Sequence, residues 1–432
     1  NDNRPSLFRM RIHHFILVFI FVQFAIAIDK LRFVQVWFRH GERTPTNYLS
    51  FPTDPPVGID KLPSRAGELT QHGISQEFEL GKILREQYGN FLGDYNAGKI
   101  RVLSGEDNRT IVSGDSMLAG LYPPMKDKQV DPSINWQPIP IHTRTSLDEV
   151  SFGVINTCEG LTKSLESNPS YTGIINTVDP DILDYLRKNT GLPLIDPYQY
   201  QLVIDSLKTK HTLNTSSLPY PQWANPLIPQ LTNLSTNVHK HMMTLLNDSS
   251  GGFHADLLLS NIEEQLLLTE RKALLLSGHD TNIFVLGGFF GAKSLTKELC
   301  MYGAHLMIEV YEPSDATPTP ENLKVKFFYS NELRSPRIEV FFPSCDAPCT
   351  LYKLQELTKG KRWSPLRWRH YCEKGIDGLE DDERLGNGIL TGSLLIAVAV
   401  LVLTSIVLLY LTCSYRKQLE VLRDPEHRPL IS

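Results

Sequence analysis

Lysine and arginine never gather into a block in this chain of 432 residues, whose formal net charge is −5. Nucleic acid is therefore excluded as an expected partner, since polyanion binding needs concentrated basic surface. No repeat recurs and no stretch is of low complexity, which rules out a solenoid or a disordered array. His, Cys, Asp and Glu are nowhere clustered at metal-ligand spacing, so no metal and no other cofactor is expected. Cysteine is scarce, with six residues in all, five of them (Cys158, Cys300, Cys345, Cys349, Cys372) ahead of a long apolar run and the sixth, Cys413, near its end. An odd count of five leaves one thiol over. Charge vanishes altogether from Ile389 to Tyr415, a run long enough to cross a bilayer as a helix. Arg416 and Lys417 follow at once and favour a cytosolic C-terminus.

What is present at the other end agrees with that topology. Arg9, Arg11, His13 and His14 precede the apolar run Phe15 to Val22, and Ala25-Ile26-Ala27 supplies a small-residue cleavage site. Residues 1–27 read as a signal peptide, with Met10 a candidate initiator. The expected organisation is a lumenal domain over 28–388, a membrane helix over 389–415 and a cytosolic tail over 416–432, a single-pass type I protein of the lysosome or cell surface. Four glycosylation sequons begin at Asn108, Asn214, Asn233 and Asn247, the first of them close to the expected pocket.

Chemistry concentrates in Arg39-His40-Gly41-Glu42-Arg43-Thr44-Pro45. It follows Phe33-Val34-Gln35-Val36-Trp37-Phe38, whose aromatic and β-branched residues occupy both alternating faces, as in a strand of a parallel sheet covered on both sides. Ligands of such sheets sit outside the carboxyl ends of strands. Two guanidiniums beside an imidazole suit a phosphate, because the arginine fork matches phosphoryl oxygens bidentately. Nearby positive charge would keep His40 neutral and nucleophilic in acidic surroundings. Gly41 allows close backbone approach.

Downstream, Leu69 to Tyr88 reads as an amphipathic helix with a stripe of Leu69, Ile74, Phe78, Ile83 and Leu84, and His72 within it reads as structural. Ile100 to Ser104 reads as a strand, and Gly105 to Thr110 as the turn into a second helix ending before Tyr122. A mostly helical lobe is expected over about 148–268. Ala273 to Leu276 then leads through Ser277-Gly278-His279-Asp280 into another helix, an arrangement that makes an anion site of the helix N-terminus. Strands are expected over Ala304–Tyr311, Lys324–Tyr329 and Arg337–Phe342, and a short acidic stalk over Cys372–Asn387.

The first motif resembles the signature of the histidine acid phosphatase family, in which the histidine is transiently phosphorylated, and His279-Asp280 resembles that family's second motif. Leu69-Thr70, Gly73, Gln76, Leu80-Gly81 and Leu84-Arg85 have a similar spacing, and the resemblance spans roughly residues 30 to 375. It implies an α/β fold of the phosphoglycerate mutase type, with a mixed, largely parallel central sheet flanked by helices and a helical second lobe. It also implies hydrolysis of a small phosphomonoester at acid pH, without metal. In that scheme His40 attacks phosphorus, Asp280 protonates the leaving oxygen, and Arg39, Arg43 and His279 hold the phosphoryl oxygens. Disulfides Cys345–Cys349 and Cys158–Cys372 are implied in the same way, leaving Cys300 as a buried thiol.

One position departs from the pattern. Aligned on Arg109-Thr110, an expected strand-end phosphate-binding arginine is Leu103. A fixed cation of that kind is worth roughly 3–4 kcal/mol of transition-state stabilisation. Arg101, two residues earlier on the same strand face, is the candidate substitute. The alternative function that follows is a catalytically impaired, membrane-anchored binding protein on the same fold.

Overall fold

The computed structural model describes residues 29–54, 65–144, 158–215, 218–267, 270–343, 345, 347–375 and 400–417. The expected signal peptide, most of the expected stalk, the first part of the apolar run and the expected cytosolic tail beyond Lys417 lie outside the described residues.

The chain begins with β1 (Lys30–Arg39), α1 (Gln71–Leu92), β2 (Ile100–Ser104), α2 (Asn108–Leu121) and the short β3 (His142–Thr143). Between 158 and 267 the described residues hold no strand; the principal helices there are α3 (Glu159–Glu166), α4 (Pro180–Thr190), α5 (Pro197–Leu213), α6 (Leu231–Leu245) and α7 (Ser249–Leu267). The chain then returns to the sheet through β4 (Ala273–Gly278), α8 (Asp280–Phe290), β5 (His305–Glu312), β6 (Lys324–Ser330) and β7 (Ile338–Val340), and closes with α9 (Leu351–Thr358) and α10 (Pro365–Lys374).

All seven strands form one mixed sheet in the order β3-β2-β4-β1-β5-β6-β7. The β3-β2-β4-β1 half is parallel and the β1-β5-β6-β7 connections are antiparallel. β1 is central because both its faces are apolar. Val34, Val36 and Phe38 pack with Leu80, Leu84 and Met117 of α1 and α2 on one side, while Phe33 and Trp37 join Leu258, Ile262 and Ile283 of α7 and α8 on the other. Each such side chain contributes about 1.5–3 kcal/mol of burial. Gln35, inside the second layer, is accommodated by donating to the Leu258 carbonyl at 2.7 Å and accepting from Trp37 Nε1 at 3.3 Å.

The helical lobe has its own apolar core, in which Tyr200, Val203, Leu207, Met242 and Phe253 are fully enclosed. The Cys158–Cys372 disulfide fastens the start of α3 to α10 across 214 residues of chain. A cross-link of that span removes about 5 kcal/mol of chain entropy from the unfolded state. Cys345 and Cys349 form the second disulfide, and Cys300 is a buried free thiol. Residues 372–374 belong to α10 and not to a stalk. Of the sequon asparagines, Asn214 and Asn233 are exposed and Asn247 is half-buried. Asn108, also exposed, donates from Nδ2 to Glu68 at 2.7 Å. The helix Val400–Lys417, 18 residues with mean hydropathy 1.4, is exposed along its length and is long and apolar enough to cross a membrane.

The buried face of α1 differs from the expected stripe. Phe78 is 43% exposed, and the face turned inward is Gly73, Glu77, Leu80, Gly81, Leu84, Tyr88 and Leu92. Backbone proximity is the reason. A Cβ on Gly81 would overlap the Met117 carbonyl of α2, and one on Gly120 would overlap the Phe78 carbonyl, so these helices touch where side chains are absent. One turn before Gly81, Glu77 is fully buried, with neither carboxyl oxygen hydrogen-bonded among the described residues.

Burial without a partner pushes the Glu77 carboxyl well above its ordinary 4.5. An unfolded chain releases that proton near 4.5, whereas the folded chain keeps it to higher pH. Stability from this group is therefore full below that value and falls as pH rises toward the folded pKa, by up to about 1.4 kcal/mol per pH unit. In Glu77→Gln this slope should be missing, so its urea midpoint should overtake that of the parent increasingly between pH 4.5 and 7. Parallel pH dependences would show that Glu77 ionises normally.

Candidate active site

The parallel strands place their carboxyl ends side by side. Arg39 is in register with Gly278, the His40 amide donates to the Gly278 carbonyl at 2.9 Å, and Ser104 of β2 is in register with Ser277. Three loops therefore open into one crevice: the one after β1 with Arg39, His40 and Arg43, the one after β2 with Asp107 and Arg109, and the one after β4 with His279 and Asp280. The faces of α5 and α6 roof this crevice and enclose a cavity of about 1040 Å³.

His40 forms the floor. It is 3% exposed, and its Nδ1 lies 2.8 Å from the Gly41 carbonyl. An N–H at Nδ1 satisfies that contact and leaves the lone pair on Nε2. The backbone beneath is fixed from two sides. Gly41 N donates to Ser113 Oγ of α2 at 3.2 Å, and a Cβ on Gly41 would overlap the Gly73 carbonyl at the start of α1. The Glu42 amide donates to Gln76 Oε1 at 2.8 Å, and Thr70 Oγ1 donates to Glu42 Oε1 at 2.8 Å. The residues of the Thr70–Gln76 stretch thus hold the first motif.

Each guanidinium in the cavity rests on a carboxylate. Arg39 Nη2 lies 3.0 Å from Asp280 Oδ2, its Nη1 donates to the Cys300 carbonyl at 2.5 Å, and its plane sits 4.3 Å from the Tyr302 ring centre. Arg43 makes a two-pronged contact with Asp205 of α5 at 2.8 and 3.2 Å, and Asp205 also accepts from Thr46 N and Oγ1 at 3.1 and 2.9 Å. Arg109 pairs with Asp107. The Nε atoms of Arg39 and Arg43 are buried with no hydrogen-bond partner among the described residues. His279, at the N-cap of α8, has its amide bound to Asn282 Oδ1 at 2.7 Å and its Nε2 3.8 Å from Asp107 Oδ2. Behind it Asn282 Nδ2 contacts His254 Nε2 at 3.0 Å, and a Cβ at Gly278 would collide with the Asn282 side chain.

Burial pulls the His40 imidazole well below 6.5, and Arg109, Arg39, His279 and Arg43 pull it further, so it is neutral even in acid. Burial pushes Asp280 up, but Arg39, His239, His279 and Arg43 outweigh it and hold the carboxyl below its ordinary value. Burial alone would raise Asp205 as well; Arg43 and Thr46 reverse that and keep it ionised.

The sequence-derived residues His40, Asp280, Arg39, Arg43 and His279 all line this one cavity. The expected weak point is elsewhere. Leu103 is 3% exposed and belongs to the apolar cluster with Trp37, Leu274 and Leu276, and neither Leu103 nor Arg101 lines the cavity. Arg101 is exposed at the start of β2. Residues inside a strand alternate between the two sheet faces, whereas those at or beyond its carboxyl end can enter the crevice. Arg109, five residues past β2, is in that place, and sequence reasoning passed over it as a phosphate ligand. Its signal was available, since Arg109-Thr110 opens a helix after a strand as His279-Asp280 does. Sequence reasoning also passed over Asp205, Lys208 and His239, which the lobe contributes to the cavity. Their helices carry no local motif. Among the described residues no group of three or more His, Cys, Asp or Glu side chains could hold a metal ion.

Residues 30–158 match the family model of the histidine phosphatase superfamily (branch 2). The chain is 30% identical to lysosomal acid phosphatase of Bos taurus over 386 residues, 87% of each chain. It is also 30% identical to venom acid phosphatase Acph-1 of Apis mellifera over 76% of this chain and 84% of that protein. Among solved structures, the phytase of Citrobacter braakii superposes with a TM-score of 0.52 at 18% identity, covering 77% of this chain and 98% of that one, a likeness of fold. With a shared family model, near-full-length relatives and a sheet crevice that carries both motifs, the chain belongs to the histidine acid phosphatase family.

Proposed function

We propose that this chain hydrolyses phosphomonoesters at acid pH through a phosphohistidine formed on His40. The observation that carries the reading is the buried, neutral imidazole with its Nδ1 on the Gly41 carbonyl, encircled by Arg39, Arg43, Arg109 and His279. A phosphoryl group held by those donors presents phosphorus to Nε2. The Nε2 lone pair forms the P–N bond as the P–O bond to the alcohol breaks, and Asp280 gives its proton to the departing oxygen. Water then attacks the phosphohistidine, returns a proton to Asp280, releases inorganic phosphate and restores the imidazole.

Asp280 determines the pH dependence in this scheme. Arg39, 3.0 Å away, favours its ionised form. A phosphate bound beside it adds negative charge and pushes the carboxyl back up, and an acidic medium completes its protonation. His40 does not oppose this, because its own pKa lies well below 6.5. Turnover should therefore rise from neutral toward acid pH.

The catalytic part, residues 28–388 with its helical lobe over about 148–268, stands on the lumenal or outer side of a membrane in this reading. The exposed apolar helix Val400–Lys417 supports a single-pass type I anchor. Lysosome and cell surface both suit a protein delivered by an N-terminal signal. The exposed Asn214 and Asn233 are the most accessible glycan acceptors, ahead of Asn247 and Asn108. The alternative is an impaired binding protein, motivated by Leu103 in place of an expected arginine; Arg109, which lines the cavity with His40, favours the catalytic reading over it.

Rapid alkaline quenching of a reaction with phosphorus-labelled substrate should trap label on the protein, and His40→Ala should abolish both labelling and turnover. Turnover that survives in His40→Ala would overturn the scheme. Asp280→Asn should slow glycerol 2-phosphate hydrolysis by about 10²–10⁴-fold and flatten its alkaline limb. p-Nitrophenyl phosphate, whose leaving group needs little protonation, should lose much less. Arg109→Ala should lose about 10²–10³-fold in kcat/KM at an unchanged thermal midpoint. Leu103→Arg should instead lower the urea midpoint through an unpaired buried charge and gain no activity; a gain would restore Leu103 to the site.

A further inference from the structure

The cavity is much larger than a phosphoryl group. Its volume of about 1040 Å³ is at the top of the range that encloses whole drug-sized ligands, about 300–1,000 Å³. Besides the residues around His40, its lining includes one face each of α5 and α6. On α5 the inward residues Gln201, Asp205, Lys208 and Thr212 recur at the three-to-four spacing of one helix face. Asp205 is committed to Arg43. Lys208, one turn further along, is not: among the described residues its ammonium has no hydrogen bond and no ion pair, whereas Arg39, Arg43 and Arg109 each rest on a carboxylate.

We propose that Lys208 recognises a second anionic group on the alcohol half of the substrate, so that the preferred substrates are phosphomonoesters bearing a carboxylate or a further phosphate. This inference rests on the phosphatase reading of the same site. Position favours the leaving side. Lys208 lies one turn along α5 from Asp205, the residue that holds Arg43, and lines the same cavity as Asp280. Asp280 is where the leaving alcohol takes its proton in the proposed scheme, so a cation sharing that cavity from the lobe side can meet the alcohol half. Charge balance points the same way. Burial and Arg39 lower the Lys208 ammonium from its ordinary pKa, and Asp280 and Asp205 oppose this only in part. An anionic substituent would supply the missing counter-charge. His239, reaching in from α6 with Nδ1 3.2 Å from the Ser235 carbonyl, adds a polar group to the same wall.

Two matched pairs test this at a short and a longer spacing: 3-phosphoglycerate against glycerol 3-phosphate, and 6-phosphogluconate against glucose 6-phosphate. Phosphate release by the full chain at pH 5.5 should favour the carboxylate-bearing member of at least one pair by about tenfold or more in kcat/KM, chiefly through KM. Lys208→Met should bring that ratio below about two, and Lys208→Arg should recover most of it. A general loss of fold would depress both members equally and leave the ratio standing. No preference in the parent for either pair, or a preference that survives in Lys208→Met, overturns the proposal. Should the parent hydrolyse none of the four and no p-nitrophenyl phosphate either, the phosphatase reading fails by itself. Calorimetric binding of the same pairs to His40→Ala, with and without Lys208→Met, then decides: tighter carboxylate binding that depends on Lys208 upholds the subsite, and equal binding overturns it.

Discussion

Three guanidiniums around one imidazole repel one another, and burying them requires a carboxylate for each. The structure meets that requirement from three different parts of the chain. Asp280 comes from the first turn of α8, Asp107 from the turn before α2, and Asp205 from α5 in the lobe. The positive charge is thus neutralised enough to be buried. The paired guanidiniums remain strong enough to hold the imidazole neutral. Removing any one carboxylate would leave a buried charge uncompensated, which is why the site depends on elements far apart in sequence.

The same demand attaches the lobe to the sheet. α5 carries Asp205, bound to Arg43 and Thr46, and five residues later Lys210, bound to Asp54 and to the Leu49 carbonyl, each at 2.8 Å. Buried pairs of this kind contribute little net stability against an apolar alternative, but a mismatched arrangement would strand both charges, so they specify how the helix sits over the loop 46–54. The lobe's own core, closed at its ends by the Cys158–Cys372 bond, then needs only to be rigid.

Legibility followed the range of the interactions. β1 and β4 were readable because a strand buried on both faces must be apolar throughout, and the two motifs because they sit on the turns that end those strands. The inward face of α1 was misread. Hydrophobic periodicity assumes that burial is by large side chains, and here Gly73, Gly81 and Gly120 bring backbones together while Phe78 stays out. Leu103 stands where the resemblance expects a phosphate-binding arginine, and as a leucine it packs in the core with Trp37, Leu274 and Leu276. Lys208 and His239 were illegible for a different reason. Their relation to His40 exists only once two helices of the lobe are folded over the crevice, and no local pattern encodes it.

The contact between Gly41 and Gly73 divides the cavity into two kinds of wall. Backbone touches backbone beneath the nucleophile, so that surface has no side chain to exchange and no slack in which to drift. The wall formed by α5 and α6 is built of side chains, and those not bound to an arginine, such as Lys208 and Thr212, can be exchanged without stranding a buried partner. Change in what the cavity admits is therefore accessible through the roof, while the chemistry below it is inherited as a unit.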